Sequence, residues 1–125
     1  MIDHIGIRCS DLARTKDFYT KALASLGYAP LMTFEQFVGF GVAPKPDFWV
    51  DGRPNSRPID RVHVAFRATS RTQVRAFYEA AIAAGGKDNG PPGLRPHYHE
   101  DYYGAFVLDP DGHNIEAVCH EPYLG

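Results

Sequence analysis

The sequence predicts an α+β fold of two tandem βαβββ modules, each a sheet backed by a helix, and three observations lead there. The first is a repeat. His4/His63, Arg8/Arg67, Phe18/Phe77, Tyr19/Tyr78, Ala22/Ala81, Ala24/Ala83 and Gly27/Gly86 stand at a constant offset of 59, seven identities in a gapless window of 24 residues. Ordinary residue usage would give about one or two. The second is a change of period in each copy, from strand alternation to helical spacing. The third is the stretch from Asp51 to Pro58, where Gly52, Pro54, Asn55, Ser56 and Pro58 make a linker composition. One domain over residues 1–125 is expected, with repeat one at about 1–51, the linker at about 52–59 and repeat two at about 60–125.

In the first copy, Ile5, Ile7 and Cys9 point one way while His4, Gly6 and Arg8 point the other. The apolar face wants a helix on it. Ser10 or Asp11 caps that helix, whose apolar positions Leu12, Phe18, Tyr19, Ala22, Leu23 and Leu26 run to a stop at Gly27. Strands follow at 28–32, 36–42 and 47–50, with Ala43-Pro44-Lys45-Pro46 as a turn. The second copy repeats the course. Val62, Val64, Phe66 and Ala68 form the apolar face, and His63, Ala65 and Arg67 the other. Ser70 with Gln73 reads as a capping box, and Gly85-Gly86 ends the helix. A Pro/Gly-rich loop, 89–96, leads to His97-Tyr98-His99, and strands at 102–108 and 114–120 flank the turn Asp109-Pro110-Asp111-Gly112. Phe18, Tyr19, Phe77 and Tyr78 are expected in the core, His113 and His120 at the surface.

Bulk properties exclude several classes of function. A net charge of −2 and a pI near 6.3 give no electrostatic case for nucleic acid or an anionic membrane surface. The two cysteines, Cys9 and Cys119, are far apart, so neither a disulfide framework nor a cysteine zinc site is expected. No run is long enough to span a bilayer. A strand pattern begins directly after Met1, which leaves no room for a signal peptide; the expected compartment is the cytoplasm.

Duplication has a geometric consequence. Helices cover one face of each sheet, so the two histidine faces must meet, within one chain or between two, and bring His4 and His63 toward a shared cavity; a homodimer is the expected assembly. In the last strand, Glu116 alternates with Ile115 and Ala117. Placing Phe48 against Ile115 sets Trp49 where Glu116 stands in the other copy, so the symmetric positions hold His, His, Glu and Trp. Arg8 and Arg67 share the histidine face and suit an anionic group of a substrate, or local ion pairs. Trp49 suits stacking, or core packing. His97, Tyr98, His99, Tyr102 and Tyr103 have the composition of a lid over a small ligand.

Three stretches carry a family resemblance: Asp3-His4-Ile5-Gly6-Ile7-Arg8-Cys9-Ser10-Asp11-Leu12, Arg61-Val62-His63-Val64-Ala65-Phe66, and the run from Phe106 through Asp109-Pro110-Asp111-Gly112-His113-Asn114-Ile115 to Glu116. With them, essentially the whole chain resembles the vicinal oxygen chelate superfamily of glyoxalase I, fosfomycin and bleomycin resistance proteins and extradiol dioxygenases. The resemblance implies curved mixed sheets around a central cavity and a divalent metal, Zn, Fe(II), Mn or Ni, held by His4, His63 and Glu116. It implies a small oxygen-rich substrate that binds the metal through two neighbouring oxygens. Glu116 or His99 would act as catalytic base, and Arg8, Arg67, Trp49, Tyr98, Tyr102 and Tyr103 would contact substrate. Trp49 stands where glyoxalase I carries a second glutamate, which counts against that isomerisation. Lyase, isomerase, dioxygenase and thiol-transferase chemistry stay open, and so does metal-free drug sequestration as in bleomycin resistance proteins.

Overall fold

The computed structural model describes residues 1–55 and 57–122; Ser56, counted above in the linker, and residues 123–125 lie outside them. Strand β1 (Ile5–Arg8) runs into helix α1 (Leu12–Ala22), whose N-cap is Asp11, its carboxylate accepting from the Arg14 amide. A 3₁₀ turn, Ala24–Leu26, closes on Gly27 at φ 83°, the left-handed conformation expected of a terminating glycine. Strands β2 (Ala29–Phe34), β3 (Phe37–Gly41) and β4 (Phe48–Asp51) complete a sheet ordered β1-β4-β3-β2.

The second module repeats the first in the same topology. Strand β5 (His63–Arg67) leads to α2 (Arg71–Ala83), then to two short strands, β6 (Lys87–Asp88) and β7 (Gly93–Leu94), and to β8 (Tyr103–Leu108) and β9 (Asn114–Cys119). The sheet is ordered β5-β9-β8-β6, with β7 also on β8. In both modules the first strand pairs parallel with the last. The loop expected over 89–96 therefore holds a strand, and the lengths of β6 and β7 show why none was read: two residues carry no alternation. The capping box is also shifted by one residue. Ser70 caps the Gln73 amide, but the Gln73 side chain returns to the Thr69 amide.

One core serves both modules. Ile7, Cys9, Phe18, Tyr19, Phe48, Phe66, Phe77 and Ile115 belong to a single buried cluster, and Phe48 meets Phe66 edge-on at 5.0 Å across the seam. Each such fully buried aromatic stabilises the fold by roughly 2–3 kcal/mol.

The Asp109–Asn114 segment bolts the modules together. Asp109 accepts from the Tyr19 hydroxyl at 2.5 Å and from the Asp111 and His113 amides, while Asp111 accepts from the Ser10 amide at 3.1 and 3.2 Å. His113 reaches the Arg8 carbonyl through Nε2 at 2.7 Å and receives the Val62 amide on Nδ1 at 3.1 Å. The carbonyl can only accept, so Nε2 carries the proton and the ring is held as one neutral tautomer. The surface position expected for His113 is thus corrected: it is 1% exposed, and its two nitrogens tie β1 to β5. His120 is exposed as expected.

These contacts set the direction of the seam. The Arg8 end of β1 lies beside Val62, and the His4 end shares a cleft with Val64 through Arg67, so β1 and β5 run in opposite directions.

Candidate functional site

Glu116 is the organising residue of the site. It sits mid-strand in β9, opposite Phe106 of β8 and Ala65 of β5, and it is 2% exposed. A carboxylate so removed from water needs partners for its oxygens. Oε1 lies 3.1 Å from His63 Nε2, and Oε2 accepts the Tyr102 hydroxyl. Space for the second contact comes from Gly104. A Cβ there would stand 3.1 Å from Oε2 and 3.2 Å from Cε1 of Tyr102. Burial first, then the hydrogen bond to Glu116, push the Tyr102 phenol above its ordinary range and keep it a donor.

His63 is oriented from behind. Its Nδ1 lies 3.0 Å from the Asn114 carbonyl, and its ring stacks against Phe106 with centroids 6.2 Å apart. A carbonyl has no proton to give, so Nδ1 donates to it and Nε2 is the nitrogen that faces Glu116 Oε1. Two acceptors 3.1 Å apart need a cation between them, either a second proton on the imidazole or a metal ion. Imidazole and carboxylate together suit Zn, Mn, Ni or Fe(II), and a ring nitrogen backed by a carbonyl is the usual support of a histidine ligand. The donor set fits a divalent metal.

The cavity before these groups is about 360 Å³ and is lined by His63, Tyr98, Tyr102, Phe106, Asn114 and Glu116. Of the residues singled out from sequence, it brings together His63, Glu116, Tyr98 and Tyr102. Phe106 and the Asn114 carbonyl were missed. Pairing Leu108 with Asn114, the strand ends on either side of the turn, would have placed Phe106 opposite Glu116.

The remaining candidates stand elsewhere. His4 lies at the opposite end of the seam, which at about 3.3 Å per strand residue puts it on the order of 13 Å from His63. It is exposed, and its Nδ1 is held 2.7 Å from Asp3 Oδ1, which leaves Nε2 free. Among the described residues no group of three or more His, Cys, Asp and Glu side chains is placed to hold a metal ion. Arg67 pairs with Glu121 at 2.8 Å beside the His4 cleft, and this contact brings the Glu121 carboxyl down to about 2. Arg8 lines a separate cleft at the linker. Tyr103 faces α2, with its hydroxyl 3.3 Å from Arg75 and its ring under Arg71. His99 stands behind the cavity wall. It packs on Tyr102 at 5.1 Å and stacks on His120 at 4.7 Å, its Nδ1 at the Glu100 carbonyl, while His97 packs on Tyr98.

Trp49 occupies the position symmetric to Glu116. Gly6 pairs with Trp49 in β1–β4 as Ala65 pairs with Glu116 in β5–β9. The indole lies over Gly39, where a Cβ would come within 2.9 Å of Cζ2 and Cη2. The first module therefore offers an aromatic surface where the second offers a carboxylate.

The sequence model of the Glyoxalase/Bleomycin resistance protein/Dioxygenase superfamily matches residues 1–117. Among solved structures, a glyoxalase/bleomycin resistance protein from Albidiferax ferrireducens T118 is 31% identical, with 96% of this chain and 98% of that one covered and a TM-score of 0.82. A glyoxalase-related enzyme from Fulvimarina pelagi is 22% identical over 95% and 87% of the two chains, with a TM-score of 0.70. Lactoylglutathione lyase from Agrobacterium tumefaciens is 16% identical over 95% and 92%, with a TM-score of 0.68. No curated protein matches the chain.

Proposed function

The chain belongs to the Glyoxalase/Bleomycin resistance protein/Dioxygenase superfamily, and from that premise we propose a metal-dependent enzyme acting on a small oxygen-rich molecule. One observation carries the reading: His63 Nε2 and Glu116 Oε1 face each other at 3.1 Å with the histidine tautomer set from behind by Asn114. A divalent metal bound there would polarise two neighbouring substrate oxygens as a Lewis acid.

The chain's own residues supply the rest. His63 and Glu116 are two of the ligands, and His4 from a second copy of the chain is the third. Sharing is supported by the placement of His4 and His63 at opposite ends of the seam in one chain. Both sheets also leave the face away from the helices uncovered, with Met32 and Phe34 50% and 61% exposed on the first. Pairing the first sheet of one chain with the second sheet of another covers both faces twice and sets Trp49 across from Glu116. The assembly in this reading is a homodimer. In it Tyr102 holds one Glu116 oxygen and leaves the other for the metal. Tyr98, Phe106 and Trp49 exclude water, and Arg67 stands beside His4 to meet an anionic group of the substrate. His99, packed on Tyr102 behind the cavity wall, would pass a proton on the Tyr102 side of the cavity.

A second reading rests on a different observation: both Glu116 oxygens already have partners, and most of the wall is aromatic. An imidazolium on His63 would complete that site as a metal-free binding cavity, as for a protein that sequesters a drug.

Calorimetric titration with ZnCl₂ and MnCl₂ separates the two readings. The enzyme reading expects about one metal per chain, with H63A and E116Q weakening it about 100-fold and H4A at least tenfold. Retention of full affinity in H63A would falsify the ligand assignment, and binding of under about one-tenth equivalent by the wild-type protein leaves the sequestering reading.

A further inference from the structure

We propose that the cleft where the linker folds back over the end of β1 is a second ligand site, for a small organic anion such as a carboxylate or phosphate monoester. The cleft is about 550 Å³, and its walls include Arg8, Arg53, Asn55, Arg57, Ile59 and Asp111. That volume suits a small molecule. It has no lining residue in common with the His63–Glu116 cavity, so the inference stands apart from the metal reading.

Charge bookkeeping in the cleft singles out Arg8 and Arg57. Asp51, the acid nearest Arg8, is already held by Arg53, whose Nε and Nη2 reach its two oxygens at 3.0 to 3.3 Å. Asp111 shares the single Ser10 amide hydrogen between its two oxygens and keeps its charge, so the cleft sets three guanidinium groups against one carboxylate. Among the described residues, the guanidinium groups of Arg8 and Arg57 make no hydrogen bond or salt bridge. Arg8 is half-buried with Asp51 opposite it on β4 as a charge neighbour, but it makes no hydrogen bond to that carboxylate, so its guanidinium donors are left for an anion. Its planar fork matches a carboxylate or phosphate in bidentate fashion. Ile59 and Pro58 provide an apolar wall for the body of such a molecule. The cleft is concave and the chain carries a net charge of −2, which favours a small ligand over nucleic acid.

The mouth is held in shape. Gly52 lies so close to α1 that a Cβ on it would stand 2.8 Å from Cβ of Leu12, and its amide donates to the Gln36 carbonyl at 2.8 Å. The Cys9 amide donates to the Asp51 carbonyl, and the Arg53 amide to the Asp51 carboxylate. A ligand bridging Arg8 on β1 to Arg57 on the linker would also brace the junction between modules.

The test is calorimetry and thermal denaturation with phenyl phosphate and inorganic phosphate, at constant ionic strength set with chloride. Saturable one-site binding is expected, with a rise in Tm. R8Q and R57Q should each weaken it at least tenfold, about 1.4 kcal/mol, while E116Q binds as the wild type does. Arg57 is exposed, so R57Q decides the matter should R8Q fail to fold. No saturable binding, unchanged affinity in R57Q, or equal competition by chloride would each overturn the proposal. So would loss of binding in E116Q, which would move the anion to the other cavity.

Discussion

Replacing His113 by alanine tests whether the bolt between the modules carries stability. The substitution removes the donor to the Arg8 carbonyl and the acceptor for the Val62 amide, both at a ring that is 1% exposed. A buried polar group left without a partner costs about 1–3 kcal/mol. Val62 is 40% exposed, so its amide recovers water and belongs at the low end of that range. The Arg8 carbonyl lies deeper and belongs nearer the middle. Adding lost packing around the ring, the expected destabilisation is about 3–4 kcal/mol, or a fall in Tm of about 10–15 °C for a domain of this size. Urea unfolding followed by the fluorescence of Trp49, the only tryptophan, measures it. A loss under about 1 kcal/mol would refute the reasoning, because it would mean that neither backbone group depends on the imidazole.

Three further outcomes follow from particular contacts. Gly104→Ala should force Tyr102 and Glu116 apart, lowering metal or ligand affinity about tenfold by calorimetry, with a destabilisation of about 1–3 kcal/mol from overpacking. Cys9 and Cys119 are both buried, and burial raises the Cys9 thiol to about 11. A thiol reagent at pH 8 should therefore leave the native protein largely unlabelled and label both cysteines in guanidinium; rapid native labelling would contradict the packing. Burial and then the Asp47 hydrogen bond raise the Tyr28 phenol from 10.0 to about 12. Its contribution to stability is complete below pH 10 and lost as pH rises toward 12, so Tyr28→Phe should flatten that part of the alkaline unfolding curve.

The duplication was legible because it is written in residues with strong backbone preferences. Alternation placed the histidine face, glycines placed the helix ends, and setting Phe48 against Ile115 in the last strand of each copy aligned Trp49 with Glu116, a match that the strand registers reproduce. Other features were not legible, for physical reasons. Strands of two residues have no period. A histidine whose partners are backbone groups 51 and 105 residues away leaves no local mark, so His113 read as surface. Tyr102 and Tyr103 were read together, though adjacent strand residues face opposite ways; one holds Glu116 and the other packs on α2. The direction in which β1 and β5 run along the seam is a tertiary fact, and it decides that His4 and His63 of one chain stand apart.

That opposed direction has a consequence in genetics. In the proposed homodimer each site would take its first half from one chain and its second half from the other. A His4→Ala allele and a His63→Ala allele, each inactive alone, should therefore complement when expressed together. In a mixed dimer both lesions fall in the same site, and the other site is wholly wild type. Random pairing makes half of the dimers mixed, which restores about one quarter of the sites. Two lesions carried on the same chain, paired with a wild-type chain, damage both sites instead. A population carrying this protein would thus score the same two mutations differently according to whether they share a chromosome.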